Sequence, residues 1–222
     1  MKRPLSQDEI PVYEATEVLL TSYASRINKP SPFEAVWEVI GDSSGEFLDR
    51  VEGLDACLAQ NPDFQELEEV LFDLLLVKFL STENRPDDYF DTPEWEQIEN
   101  KTIDRGTELL NLFLYISESI DTDVDISLDD FLQEFLLIEE TEFQDELRIY
   151  ESFIVNEDIL DAEISDLKEI QEGIQEDNPI KSLFVPMVLF FQVAEEIEPE
   201  LGNSLTPFED AVYHSVLAFY GE

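Results

Sequence analysis

Signals for the start of an α-helix recur along this chain and constrain its fold more than any other feature. In Thr206-Pro207-Phe208-Glu209 a hydroxyl residue stands at the N-cap position, proline at the first helical position and glutamate at the third. Further cap signals of the same kind are Ser31-Pro32-Phe33-Glu34, Thr92-Pro93, Ser43 with Glu46, and Ser127 with Asp130. The pattern predicts that a helix begins at each of these places.

Between these starts, apolar residues recur at intervals of three and four, as they do on the buried face of a helix. Clear examples are Leu128, Phe131, Leu132 and Phe135, and then Leu160, Ile164, Leu167 and Ile174. The chain has only 7 Gly, and no stretch combines two-residue alternation with a glycine-containing hairpin turn. We predict an all-α bundle of about eight or nine helices near residues 8–27, 32–41, 45–59, 63–81, 93–118, 127–154, 157–175, 180–197 and 206–220.

A polar segment with the sequence STENRPDDYFD interrupts this pattern after residue 80. It contains Pro86 and predicts a loop or linker over residues 81–92, between an N-terminal helical subdomain at 1–80 and a strongly acidic one at 93–222. A single domain with a long surface loop would have the same sequence pattern. The charge is uneven, with 16 acidic and 6 basic residues in 1–80 against 38 and 6 in 81–222.

The net charge needs an explanation beyond solubility. The 54 acidic and 12 basic residues give a formal net charge of −42, whereas a charge of about 2 to 8 keeps a small domain soluble. The 16 Phe and 43% hydrophobic content can fill a core, which indicates a folded chain. Self-repulsion opposes compaction. The charge therefore indicates either a basic partner or a high-salt environment, and the sequence does not decide between them.

Compartment signals are few. Cys57 is the only cysteine, so the chain cannot form an internal disulfide, and its first residues lack the apolar stretch of a signal peptide. The longest apolar run, Leu183 to Phe191, is far shorter than the roughly 20 residues of a membrane span. We expect a cytoplasmic protein with no membrane partner. Its oligomeric state stays open.

Acidic residues at helical spacing form two rows. The rows are Glu163, Asp166, Glu169, Glu172 and Glu176 in one segment, and Glu139, Glu142 and Glu146 in the preceding one. Neighbours at these intervals lie about 5 to 6 Å apart on a helix, a scale comparable to the 3.4 Å rise per charge of a nucleic-acid strand. We expect the rows to bind a partner, although a solvated helix face has the same pattern.

A basic partner that normally binds nucleic acid fits such rows best. We expect an acidic inhibitor or sequestering protein that mimics nucleic acid, without binding it, and occupies the basic channel of a nuclease, restriction or CRISPR effector, or transcription factor. An immunity or adaptor protein for one basic toxin or enzyme is the alternative. Tyr89 and Phe90 lie in the polar segment outside any helical stripe, and we expect them to contact the partner as well.

Catalytic and metal-binding patterns are weak. Residues 119–130 align partly with an EF-hand loop, which would make Asp121, Asp123, Asp125 and Asp130 oxygen ligands. Val124 occupies the position of the turn glycine, so the match is poor. The chain has one histidine, too few for a di-iron bundle, and no glycine-rich phosphate loop. We expect no enzyme activity, no cofactor and no bound metal.

Overall fold

The computed structural model describes residues 5–42, 44–82, 88–135, 148–156, 158–201 and 203–221. In these ranges all regular structure is helical and none is β-strand, which confirms the predicted all-α class. The α-helices are α1 (Ile10–Ile27), α2 (Phe33–Ile40), α3 (Phe47–Gln60), α4 (Glu68–Thr82), α5 (Pro93–Thr102), α6 (Leu109–Thr122), α7 (Leu128–Asp130), α8 (Glu151–Ile154), α9 (Ile164–Gly173), α10 (Phe184–Ala194) and α11 (Pro207–Tyr220).

Short 3-10 helices at Gln7–Glu9, Pro62–Leu67, Tyr89–Asp91 and Ile159–Asp161 extend or connect these helices, and a π-helical turn at Phe131–Phe135 continues α7. Nine of the described α-helices have eight residues or more, in agreement with the predicted eight or nine.

Side-chain caps fix several helix starts where the sequence predicts them. At α11 the Thr206 hydroxyl accepts from the backbone N–H of Glu209, and the Glu209 carboxylate accepts from the backbone N–H of Thr206. At α5 and α7 the hydroxyls of Thr92 and Ser127 accept from the backbone N–H groups of Trp95 and Asp130. Helix α2 begins at Phe33, one residue later than predicted, while the Ser31 hydroxyl accepts from the backbone N–H of Phe33 at 3.3 Å. Ser43 lies outside the described residues.

Several predicted helices have different bounds in the structure; the one predicted at 180–197, for example, is α10, Phe184–Ala194. The predicted helix at 93–118 is two helices, α5 and α6, and their connection contains Gly106, whose φ of +89° is incompatible with a continuous helix. The predicted helix at 157–175 begins only at Ile164, after the extended residue Glu163. The predicted helix at 127–154 is described only at its two ends, as α7 with its π-helical turn and as α8.

Helix α10 lies at the centre of the core, and every residue from Phe184 to Gln192 is buried. Gln192 satisfies its buried amide by donating to the carbonyl oxygens of Leu160 and Ala162, 2.9 and 3.0 Å away. Helices α1 and α11 form the most extensive helix–helix contact in the described ranges. Buried side chains from both sides of the 81–92 segment join one core. The predicted division into subdomains stays a prediction.

Small side chains allow α1 and α11 to approach closely. Ala15 and Ala211 are both fully buried, and the Ser215 hydroxyl donates to the carbonyl oxygen of Ala15 at 3.0 Å. At the C-terminal end of α1, Arg26 donates to the carboxylate of Asp210 at 3.0 Å. None of the described helices is both long and apolar enough to cross a lipid bilayer.

Candidate partner-binding surface

Helix α9 carries an exposed row of carboxylates. Leu167 on its inner side is fully buried. Glu163 stands at its N-cap position, and the side chains of Asp166, Glu169 and Glu172 are all exposed. We call these four residues the acidic face of α9. Neighbouring residues of this face are three positions apart in the sequence, and at that spacing on a helix the Cβ atoms lie about 5 to 6 Å apart.

Glu176 lies outside the helix to which the sequence assigned it. Helix α9 ends at Gly173, and Glu176 follows in a turn. Its side chain is 92% exposed and accepts from the Lys181 ammonium group at 2.8 Å. The same ammonium group donates to the carbonyl oxygen of Ile174 at 2.7 Å. Lys181 therefore ties this turn to the end of α9 and neutralises part of its charge.

A groove of about 660 Å³ adjoins the end of α9. Its acidic lining residues are Glu66, Glu172, Glu176, Asp177 and Glu209, and its apolar ones include Pro179 and Phe208. Sequence analysis missed Glu66 and Asp177, because no local pattern connects Glu66 to a helix roughly a hundred residues further on. The fold thus extends the acidic face of α9 into a concave surface.

Glu66 is held in place by Tyr23 of α1. The Tyr23 hydroxyl donates to the Glu66 carboxylate at 2.7 Å. Burial and this contact with Glu66 raise the pKa of Tyr23 to about 12, so the tyrosine stays a neutral donor at physiological pH.

The one basic residue of α9, Lys168, turns away from the acidic face. It donates to the buried carboxylate of Glu209 in α11. Gln171 donates to the same carboxylate at 3.0 Å and to the carbonyl oxygen of Lys181 at 2.9 Å. Burial alone would raise the pKa of Glu209, but hydrogen bonds from Lys168, Thr206 and Gln171 outweigh burial and lower that pKa. The charged side chains that remain on the exposed side of α9 are therefore all carboxylates.

The second predicted row, Glu139, Glu142 and Glu146, lies outside the described residues.

The aromatic residues Tyr89 and Phe90 lie in the 3-10 helix before α5. Phe90 is 52% exposed and meets Trp95 edge to face, with ring centroids 5.0 Å apart. Tyr89 is half-buried between Trp95 and Phe79, at centroid distances of 6.2 Å to each. Phe90 therefore offers an exposed aromatic surface, whereas Tyr89 packs mainly within the protein.

Residues 119–130, which align partly with an EF-hand, do not form a 12-residue loop in the structure. Helix α6 continues to Thr122, so Asp121 is helical, and Asp130 lies in α7. Asp123 has a left-handed φ of 55° and ends α6, while Asp125 is exposed. In the ranges that the structure describes, no three or more His, Cys, Asp or Glu side chains are grouped to hold a metal ion.

Two carboxylates of α4, the half-exposed Glu69 and the buried Asp73, bind the loop that separates α5 from α6. Glu69 accepts from the Arg105 guanidinium at 2.9 Å and from the backbone N–H of Gly106. Asp73, fully buried, accepts from the backbone N–H of Thr107 at 3.0 Å and from its hydroxyl at 2.6 Å. Burial raises the pKa of Asp73 to about 8 despite these hydrogen bonds. These carboxylates are occupied by protein donors.

The acidic face of α9, part of its adjoining groove and Phe90 are thus exposed at the protein surface. Comparison with family models, with curated proteins and with solved structures found no match to this chain.

Proposed function

We propose that this protein binds the basic surface of a nucleic-acid-binding protein and inhibits or sequesters it by occupying the channel that normally holds nucleic acid. The observation that carries the proposal is the acidic face of α9, where four exposed carboxylates follow one helix whose only basic residue contacts Glu209 instead. A track of fixed negative charge at helical spacing is complementary to a Lys/Arg-lined channel.

The overall charge supports the proposal through the kinetics of association. A formal net charge of −42 attracts a basic partner over several ångströms and raises the association rate, an effect that salt screens beyond about 8 Å at physiological ionic strength. The same charge repels nucleic acid and anionic lipid. A basic protein is therefore the class of partner that this surface favours.

An immunity or adaptor protein for one basic toxin or enzyme is the second candidate function. It is favoured by the groove beside the acidic face of α9, which is concave and includes the apolar side chains Pro179 and Phe208. A charge track alone needs no such shape. Competition separates the two functions, because added duplex DNA or RNA displaces a mimic from its partner, whereas an immunity protein that binds away from the nucleic-acid channel tolerates it.

The proposal is tested with two variants of equal charge. In the first, the four residues of the acidic face of α9 are changed to Lys. In the control, four exposed helical acids of the first 80 residues are changed to Lys: Glu14, Glu38, Asp49 and Glu52. None of the four control carboxylates lies against the groove at α9. Circular dichroism should show unchanged helicity in both, since Lys is a good helix former.

Nucleic-acid-binding proteins captured by the unmodified chain at physiological salt are then purified and titrated with each variant. We expect binding to fall steeply only for the α9 variant, and added DNA to compete. Equal loss in both variants would show a general charge effect and would contradict a binding site on α9.

A further inference from the structure

An apolar groove of about 570 Å³ lies beside α5. Its apolar lining residues are Phe72, Leu76, Trp95, Ile98, Ile103 and Leu110, from α4, α5, α6 and the connection between α5 and α6. The groove is separate from the acidic face of α9 and shares no residue with the groove there.

Two of the apolar side chains that line the groove, Trp95 and Ile98, belong to α5. Only Ile98 among its ten residues is buried, and Trp95 is half-buried. Just after the helix, Ile103 is 78% exposed, the highest value among the exposed large apolar side chains of the described ranges. Phe90 adds a second exposed apolar side chain against Trp95. Contiguous exposed apolar surface of this kind is typical of interaction sites.

Carboxylates form the rim of this groove. Glu96 and Glu99 of α5 line it and are exposed. Arg105 closes one side, with its guanidinium 5.0 Å from the centre of the Phe72 ring, but its charge is matched by Glu69 and Asp55 at 2.9 and 3.1 Å. An occupant therefore meets an apolar floor and a negative rim.

We propose that the α5 groove binds a large apolar side chain from a basic peptide segment of the partner. The rim favours Lys or Arg on either side of that side chain, and the floor favours leucine, isoleucine or an aromatic residue. A second copy of this chain is disfavoured as occupant, because two chains of net charge −42 repel each other. The inference rests on the proposed function in that both take the partner to be basic.

The groove would give the interaction a component that salt does not remove. Attraction to the acidic face of α9 weakens as ionic strength rises, whereas the burial of an apolar side chain does not. One well-buried leucine changes affinity by about tenfold or more. The partner would then be recognised by its sequence as well as by its charge.

Trp95 provides a direct readout. The full chain carrying Trp37→Phe retains Trp95 as its single tryptophan. This protein is titrated with two synthetic peptides of equal positive charge, one alternating Lys pairs with Leu pairs and the other with Ser in place of Leu. At about 0.5 M salt, where exposed charges are largely screened, we expect the leucine peptide to bind about tenfold more tightly and to shift Trp95 emission.

Two isoleucine variants locate the binding. Ile103→Ser changes the groove, and the matched control Ile120→Ser changes an isoleucine that is 50% exposed on α6. We expect the first to weaken binding of the leucine peptide about fivefold and the second to leave it unchanged. Equal effects of the two substitutions, equal affinity for the two peptides, or saturating binding without a change in Trp95 emission would each overturn the proposal.

Failure of this inference is distinguishable from failure of the proposed function. The α9 charge-reversal variant should retain its preference for leucine over serine, because the groove is unchanged. If the α9 variant keeps that preference and still binds the captured partner as tightly as the original chain, the groove proposal is supported and the proposed function is contradicted. If the α9 variant binds the partner more weakly but Ile103→Ser does not weaken binding of the leucine peptide, the groove proposal is contradicted.

Discussion

Lys168 in α9 donates to the buried carboxylate of Glu209 in α11, the same carboxylate that caps the start of α11. One side chain thus fixes a helix terminus and the orientation of the neighbouring helix. Because Lys168 is held there, the acidic face of α9 faces outward.

We expect Glu209→Gln to lower the free energy of unfolding by about 1 to 3 kcal/mol, because the substitution removes charge-assisted hydrogen bonds and leaves Lys168 without its counterion. Urea denaturation measures the effect. The matched control is Glu172→Gln on the exposed side of α9, with an expected change within about 0.5 kcal/mol. Similar losses in both variants would contradict a structural role for the Lys168–Glu209 contact.

The same contact predicts a dependence on pH. The pKa of Glu209 is lowered in the folded protein, so its stabilising contribution is present above the ordinary glutamate pKa and is lost as pH falls through the lowered value. The difference in the free energy of unfolding between the original protein and Glu209→Gln should therefore become smaller in acid. If this difference stays constant from neutral pH to pH about 3, Glu209 is not ionised as assigned.

Asp73 predicts a pH dependence of the opposite sign. Its pKa is raised to about 8 by burial, whereas an aspartate in the unfolded chain has a pKa of about 3.9. Between these values the folded state holds a proton that the unfolded state releases, so the free energy of unfolding falls as pH rises from about 4 to about 8 and then levels off. Repulsion among the other carboxylates adds a slope of the same sign.

Asp73→Asn isolates the contribution of Asp73, because asparagine has the shape of the protonated acid and does not titrate. We expect the variant to lose part of the decrease in stability between pH 4 and 8 that the original protein shows. Urea denaturation at a series of pH values gives both curves. Parallel curves would show that Asp73 does not hold a proton in the folded state.

Gly106→Ala should be strongly destabilising. Gly106 has a φ of +89°, and a Cβ atom there would lie 2.6 Å from the Oδ1 atom of Asp73. We expect a loss of about 2 kcal/mol or more, from the left-handed backbone and the clash together. The control is Gly173→Ala at the end of α9, where a Cβ meets no atom within 4 Å. That substitution should be neutral or stabilising by up to about 1 kcal/mol.

Salt should stabilise the protein. A net charge of −42 makes the folded chain repel itself, and added salt screens exposed charges. We expect Tm to rise between low salt and several hundred millimolar sodium chloride. A gain of about 2 kcal/mol corresponds to roughly 4 to 8 °C for a domain of this size. A flat or falling curve from differential scanning calorimetry would show that the acids are compensated within the fold.

The helices were predictable because their start signals are local. The hydroxyls of Thr206 and Thr92 each accept from the backbone N–H three residues later, and these caps match the prediction. Asp166 and Glu169 are three residues apart and share a face of α9 that differs from the face of the buried Leu167. Their exposure is therefore also predictable from the helical spacing. These features depend on neighbouring residues alone.

The break between α5 and α6 was not predictable in this way. A single glycine inside an apolar helical pattern is compatible with a continuous helix, and Gly106 forms a turn because Glu69 and Asp73 accept hydrogen bonds from residues 105–107. Those partners lie more than thirty residues earlier in the chain. The position of Glu66 beside the end of α9 has the same kind of long-range origin.

The packing of α1 on α11 has a consequence for synthesis on the ribosome. The hydrogen bond from Ser215 to Ala15 joins residues 200 positions apart, so α1 emerges long before the helix that covers its apolar side exists. Until α11 leaves the exit tunnel, the side of α1 that includes Ala15 lacks the helix that covers it. The high negative charge would keep neighbouring nascent chains apart during that interval, and charge-neutralising substitutions should then lower the soluble yield on expression even where the finished fold tolerates them.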